Sequence, residues 1–111
     1  MSRLRALGIN IGDYLPGRQN AITDIRGVSV GHADIRAANL RTGITAVVPY
    51  VPDIAERKLF IGRFAVDDGD AMSGLGVVED FGTFSSPIVL APAPVVGRVY
   101  EALISYGLVR D

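Results

Sequence analysis

The alternation of strand-forming residues between positions 28 and 48 constrains the fold of this chain most. Residues 28–35 have the sequence VSVGHADI, and a two-residue period places Val28, Val30 and His32 on one face of an extended segment. The Ser, Gly, Ala and Ile side chains of the segment occupy the opposite face. We therefore predict a β-strand here, with one face that carries the only histidine of the chain.

A second predicted strand covers residues 44–48, ITAVV. These residues are β-branched or small and apolar on both faces, as in a strand that is covered on both sides. Residues 39–43 before it are polar and turn-like, and we expect Gly43 to supply the backbone freedom of the turn. Pro49 and Pro52 cannot donate ladder hydrogen bonds, so they end the strand.

Hydrophobic period and turn residues predict the remaining elements. They are a short extended piece at 21–23 able to pair in a sheet, a strand over 59–66, a helix over 75–81 ended by Gly82, a strand over 88–91, and a helix over 95–106 ended by Gly107. The order β-β-β-α-β-α predicts an α/β fold, layered around a mixed sheet.

Length and charge limit the classes of protein to which the chain can belong. With 111 residues, it has room for one domain with a modest core. Its 11 basic and 12 acidic residues form no basic stripe, which argues against a nucleic-acid partner. Cysteine is absent, which excludes disulfides and fits a reducing compartment. No apolar run approaches the roughly 20 residues that span a bilayer. We therefore expect a cytoplasmic protein without a membrane partner.

Four motifs follow one another in a defined order. They are GINIGDYLPG at 8–17, NAITDIRGVSVGHADI at 20–35, RTGITAVVP at 41–49 and EDFGTFSSPIVL at 79–90. Together they resemble the N-terminal end of the self-cleaving aminopeptidase/amidase-esterase family, which includes β-peptidyl aminopeptidases and D-aminopeptidases. Each motif alone is weak because Gly, Val and Thr are common in strands and turns. Their shared order and spacing make the resemblance more specific.

The resemblance implies a fold and a domain organisation. The family has an α-β-β-α sandwich, and this chain is similar to part of one of its sheets with some of the covering helices. Residues 1–111 are then a single domain or the N-terminal part of a larger aminopeptidase domain. A partial sandwich must bury its open sheet face against a partner.

The resemblance also implies a chemistry, that of a serine-type aminopeptidase or amidase. Such an enzyme hydrolyses N-terminal amide or ester bonds of small peptides and uses no metal or organic cofactor. Family members cut themselves before a Ser or Thr, which becomes an N-terminal nucleophile with its own α-amine as base. No serine of this chain matches that context, so we assign no catalytic residue here. We expect the nucleophile on the C-terminal remainder or on a cleaved partner chain, and assembly into a homo-oligomer.

An acidic loop follows the third predicted strand. Residues 67–74, DDGDAMSG, replace a segment that in the family is typically Asn-Gly-x-Gly-Glu. The candidate substrate-binding residues are Asp67, Asp68 and Asp70, whose carboxylates can hold a substrate amine or a hard cation such as calcium. The spacing does not match an EF-hand. We favour a solvated turn, in which Asp and Gly are preferred for their backbone angles.

His32 is a candidate general base or metal ligand. The chain offers no second histidine or cysteine to share a metal, so we favour a structural histidine that is hydrogen-bonded at a strand end. Asp34 shares the face of His32, and an ordinary orienting contact between the two side chains is compatible with the sequence.

Two further hypotheses remain open at the level of the sequence. One is a non-catalytic binding or scaffold relative that kept the sheet and lost the active site. In favour of it, Ala91, Pro92 and Ala93 replace a polar Thr-Asn-Thr turn of the family, and the acidic loop is altered. The other is an acyltransferase with the same self-cleaving architecture, because no residue here separates acyl transfer to water from acyl transfer to an amine.

Overall fold

A long antiparallel pair of strands forms the centre of the fold in a computed structural model, which describes residues 3–49, 57–66 and 72–110. Strand β1 is Ser29–Ala37 and strand β2 is Leu40–Val48. They pair from Ser29 opposite Val48 to Ala37 opposite Leu40 without a break in register. Only Ala38 and Asn39 connect them, so the turn fixes which residues face one another.

Shorter elements follow the central pair along the chain. They are strand β3 (Leu59–Phe60), helix α1 (Leu75–Phe81), strand β4 (Thr83–Phe84), strand β5 (Ile88–Leu90) and helix α2 (Val96–Arg110). Single 3-10 turns occur at Leu4–Leu7, Ile22–Asp24 and Ala93–Val95. Two runs of strands are thus each followed by a helix, and the predicted α/β class is confirmed.

Two sheets are present in the described ranges. The larger has the order β1-β2-β5, and the smaller consists of β3 and β4. All of these pairs are antiparallel, so the mixed sheet that we predicted is not found in the described ranges. Strand β5 pairs only with residues 45–47 of β2. The half of the β1–β2 hairpin near its turn therefore extends beyond the third strand.

The predicted strand boundaries in the hairpin need correction. The turn is two residues long and not five, so β2 begins at Leu40 and Gly43 lies inside it. A Cβ atom at position 43 would lie 2.7 Å from Oδ1 of Asp34 and 2.8 Å from the carbonyl oxygen of Ala33. Gly43 therefore leaves space for a side chain on the neighbouring strand and is not the turn residue that we predicted.

Other predicted boundaries differ for similar reasons. Helix α1 has the predicted limits, and Gly82 ends it in the left-handed region with φ 61°. The strand predicted over 59–66 is regular only at Leu59–Phe60, because its partner β4 is equally short. Helix α2 continues through Gly107 to Arg110, so the stop predicted at Gly107 is wrong. The predicted pairing of 21–23 is also wrong, because a 3-10 turn occupies this position.

Side chains hold the polar entry to β1 in place. Asn20 has a φ of 50°, which is uncommon outside glycine. The carboxylate of Asp24 accepts hydrogen bonds from the backbone N–H of Gln19 at 2.9 Å and of Ala21 at 3.3 Å, on either side of Asn20. The guanidinium of Arg3 donates to the carbonyl oxygens of Gln19 at 2.5 Å and Asn20 at 2.8 Å. One carboxylate and one guanidinium thus compensate for the strained backbone.

The described residues do not form a closed core. None of their side chains is fully buried, and large apolar side chains such as Phe60 (94% exposed) and Phe64 (86% exposed) face solvent. The radius of gyration is 16.3 Å, whereas a compact domain of this length has about 13 Å. The sheets and helices are therefore layers with uncovered apolar surface.

In the part of the chain that the structure describes, no helix is long and apolar enough to cross a bilayer.

We predict that Asp24→Ala loosens the entry to β1. The amide protons of Gln19 and Ala21 lose their acceptor, so their hydrogen exchange should accelerate about fivefold to tenfold. NMR-detected exchange measures this directly. Asp13→Ala, which removes another exposed carboxylate from the same N-terminal segment, is the control and should leave both rates unchanged. Unchanged rates in Asp24→Ala would show that the carboxylate does not hold this turn.

Candidate functional site

The candidate substrate-binding loop is anchored at both ends, although its acidic residues lie outside the described ranges. This applies to Asp67, Asp68 and Asp70, so their predicted role stays a prediction. The segments on either side are described, at residues 57–66 and from residue 72 onward. They show how the ends of the loop are positioned.

Three interactions tie the two flanks of the loop together. Strands β3 and β4 pair, with Leu59 opposite Phe84 and Phe60 opposite Thr83. The backbone N–H of Ile61 then donates to the carbonyl oxygen of Gly82 at 3.0 Å. Farther toward the loop, the guanidinium of Arg63 forms an ion pair with the carboxylate of Glu79 on α1. We call the described residues 59–66 and 72–84 the loop frame.

Glycines set the direction of the helix in the loop frame. Gly74 precedes α1 with a φ of 87°, and Gly82 follows it with a φ of 61°. Both values lie in the left-handed region, where other residues are strained. The chain therefore turns sharply into α1 and sharply out of it into β4. As a result, Glu79 on the helix comes within reach of Arg63 on the other flank.

His32 has a partner on the neighbouring strand. Its Nδ1 lies 2.8 Å from Oγ1 of Thr45, the residue directly opposite in the β1–β2 register. Asp34 shares the sheet face of His32 but contacts Arg36, at 3.4 Å between Oδ2 and Nη2. The two side chains thus have separate partners. His32 is hydrogen-bonded, as the favoured interpretation of a structural histidine requires, but it lies inside β1 and not at a strand end as predicted.

Thr45 is the residue of this group that sequence reasoning missed. Thr45 lies on β2 and its partner His32 on β1, so the position of the turn determines whether the two residues face each other. A turn placed at residues 38 and 39 brings Thr45 opposite His32, whereas a turn spread over 39–43 does not.

The described residues contain no group of three or more His, Asp or Glu side chains arranged to hold a metal ion. The acidic loop lies outside these ranges, so this finding does not extend to it.

The turn between β5 and α2 presents no polar side chain. The strand ends at Leu90, Ala93–Val95 forms a 3-10 turn, and the helix begins at Val96. Pro92 stands at the start of the 3-10 turn. This junction follows the strand that pairs with β2, so it lies at the edge of the larger sheet. Residues 91–95 of this junction therefore carry no side-chain hydrogen-bond donor or acceptor.

Comparison with known proteins identifies the family. The model of the family described as "Peptidase family S58" matches residues 20–111. The chain is 29% identical over 115 residues to the β-peptidyl aminopeptidase BapA of Sphingosinicella xenopeptidilytica, covering 96% of this chain and 28% of that protein. It is 29% identical over 113 residues to BapA of Sphingosinicella microcystinivorans, covering 94% of this chain and again 28% of the relative.

A solved structure agrees with this assignment. The PH0078 protein from Pyrococcus horikoshii OT3 matches 99% of this chain with a TM-score of 0.93 and 32% sequence identity. This chain belongs to peptidase family S58. It spans less than a third of the length of the two aminopeptidases and 34% of the PH0078 chain.

We predict that the Arg63–Glu79 ion pair couples the two flanks of the loop frame. Arg63→Ala and Glu79→Ala should each accelerate hydrogen exchange of the Ile61 amide by roughly twofold to fivefold, as expected for a partly exposed ion pair of at most about 1 kcal/mol. The double variant should exceed neither single variant, because the same interaction is removed. Lys58→Ala, a charge deletion on the same flank, serves as the control. Additive effects of the two substitutions would contradict the coupling.

Proposed function

We propose that this chain is the N-terminal portion of a serine-type aminopeptidase or amidase that hydrolyses N-terminal amide or ester bonds of small peptides. Membership of peptidase family S58 supports a hydrolase, and the two relatives named β-peptidyl aminopeptidases support action on an amide bond next to a free amine. The nucleophile belongs, on this proposal, to a segment outside this chain. A cytoplasmic location is part of the same proposal.

The observation that carries the proposal is the uncovered apolar surface. This chain matches the PH0078 structure over 99% of its own length. Even so, none of its described side chains is fully buried. Covering apolar surface with other polypeptide is favourable, by roughly 25 cal/mol for each Å² removed from water, and large exposed apolar patches mark interaction sites. We propose that a C-terminal remainder, or a chain produced from it by self-cleavage, covers these layers and carries the nucleophile.

The loop frame has a defined place in this proposal. It holds the ends of the acidic loop on one short strand pair and one helix. If Asp67, Asp68 and Asp70 hold the amine of the substrate, the frame positions their carboxylates. If the loop is a solvated turn, the frame serves only to connect β3 to α1. These alternatives differ in what they predict for substrate binding.

A non-catalytic binding or scaffold relative is the second candidate. The apolar junction at Ala91, Pro92 and Ala93 favours it, because the side chains there can neither donate nor accept a hydrogen bond. This chain then keeps the sheet of the family, and its uncovered surface binds another protein instead of a catalytic segment.

We predict that protein purified from its native source contains this chain within a larger assembly that releases p-nitroaniline from aminoacyl p-nitroanilides. Intact-mass measurement identifies the polypeptides, and a substrate panel with L-, D- and β-aminoacyl groups measures the activity. The recombinant 111-residue chain is the control and should show no turnover, because we assign it no nucleophile. A native mass equal to that of the 111-residue chain, without turnover, would overturn the hydrolase proposal and favour the scaffold.

We predict that the acidic loop contributes little to catalysis, as a solvated turn would. In the active assembly, Asp67→Asn, Asp68→Asn and Asp70→Asn should each change kcat/KM by less than about threefold. A carboxylate that binds the substrate amine directly would instead raise KM by about tenfold or more on substitution, corresponding to a charge-assisted hydrogen bond of about 1.5 to 3 kcal/mol. Asp80→Asn, a described and exposed carboxylate on α1, is the matched control.

A further inference from the structure

The outer edge of β1 is free to pair in the described ranges. The larger sheet has the order β1-β2-β5, so β1 has a neighbour on one side only. Ala37 and Leu40 close the two-residue turn and bond to each other, so the odd-numbered residues of β1 direct their N–H and C=O groups to β2. The even-numbered residues, including Asp34 and Arg36, direct theirs away from the sheet. An open edge of this length is a template for another strand.

Two side chains of opposite charge lie along this edge. Asp34 and Arg36 lie on the same face of β1, two residues apart, and both are exposed. Arg36 is directly opposite Arg41 on β2, whereas Asp34 is opposite Gly43. Like charges that face each other across strands are destabilising. Arg36 and Arg41 face each other in this way, and the ion pair of Asp34 involves only Arg36. A strand that brings a second carboxylate to this position would be stabilising.

We propose that the edge of β1 pairs with β1 of a second copy of this chain, antiparallel about a two-fold axis at Ile35. In this register, Asp34 of each copy faces Arg36 of the other. Their outward N–H and C=O groups then bond reciprocally, as in a hydrogen-bonded antiparallel pair. The carboxylate also approaches the guanidiniums of Arg36 and Arg41 that now share its row. This inference does not depend on the hydrolase activity.

The charges select this register against its neighbours. Moving the axis to Asp34 would place two carboxylates opposite each other, and moving it to Arg36 would do the same with two guanidiniums. With the axis at Ile35, the opposite face of the sheet is also matched. Ile35, which is 59% exposed in the single chain, contacts its own counterpart, and Ala33 faces Ala37 of the second copy.

A second copy fits this edge better than an unrelated strand, because the pattern is self-complementary. In a two-fold interface, residue i contacts residue j and residue j contacts residue i. Asp34 and Arg36 meet this condition with only one residue between them. An unrelated strand, or another segment of a longer polypeptide, has no requirement for alternating charge of this kind.

A cysteine at the axis tests the geometry. Residues 1–111 contain no cysteine, so Ile35→Cys introduces the only thiol among them. The proposed non-hydrogen-bonded pair places the two Cα atoms about 4.5 Å apart, within the range of a disulfide. Leu40→Cys is the matched control, because it lies on the same sheet face and is 51% exposed. Its counterpart would be roughly 19 Å away, because the two residues are separated by three strand spacings across the sheet and by about four residues along the strands.

We expect mild oxidation to convert most Ile35→Cys protein to a covalent dimer and to leave Leu40→Cys mostly monomeric, as measured by non-reducing electrophoresis at equal concentration. Equal rates for the two variants would mean random collision of exposed chains. Very slow cross-linking of both would mean that another segment or another protein occupies the edge. Either result overturns the proposal.

Charge exchange tests the register independently. Asp34→Arg and Arg36→Asp should each raise the Kd of dimerisation at least about tenfold, because two attractive pairs become two repulsive ones. The double variant Asp34→Arg/Arg36→Asp restores opposite charges across the axis and should return Kd to within about threefold of the parent. Sedimentation equilibrium gives the Kd, and circular dichroism verifies that each variant keeps its strands. A double variant as weak as the single variants would refute the register.

Discussion

The two-residue turn between β1 and β2 is the constraint on which the rest of the larger sheet depends. Each strand has nine residues, and the turn at Ala38 and Asn39 fixes all of their pairings at once. Because side chains alternate between faces, a shift of one residue would exchange the two faces of the strand. The contact of His32 with Thr45, the space that Gly43 leaves for Asp34, and the position of β5 all follow from this register.

The uncovered apolar surface connects the fold to the proposed activity. The same chain matches a family of peptidases, spans about a third of its relatives, and leaves large apolar side chains in solvent. A sheet with both faces covered is stabilised mainly by that burial, and its strands are then apolar on both sides, as residues 44–48 are. We propose that additional polypeptide covers these layers, and that in the proposed enzyme the same polypeptide supplies the nucleophile.

The loop frame and the open edge of β1 are two different kinds of surface. In the loop frame, interactions between distant parts of the chain converge: β3 pairs with β4, and Arg63 pairs with Glu79. They hold the ends of the acidic loop, where the substrate-binding candidates lie. At the edge of β1, by contrast, the backbone groups have no partner strand in the described ranges, and Asp34 and Arg36 supply charge alternation. The first surface connects parts of the chain itself, and we propose that the second pairs with another chain.

The sequence by itself determined the features that depend on neighbouring residues. Alternation predicted β1 and its two faces, the spacing of apolar residues predicted α1 at residues 75–81, and the conformational freedom of glycine placed the end of that helix at Gly82. The order of the motifs indicated the family. All of these signals are local, because they arise from backbone geometry over a few residues or from linear order.

Tertiary structure decided the features that depend on residues far apart in the sequence. Gly43 became a strand residue because the turn lies at residues 38 and 39, and its missing side chain leaves space for Asp34 on the neighbouring strand. Strand β3 stops at Phe60 because β4, which lies beyond the acidic loop, is only two residues long. Thr45 became the partner of His32 through the register of the hairpin. Cross-strand contacts combine positions separated by a turn of unknown length, so local pattern alone cannot specify which residues meet.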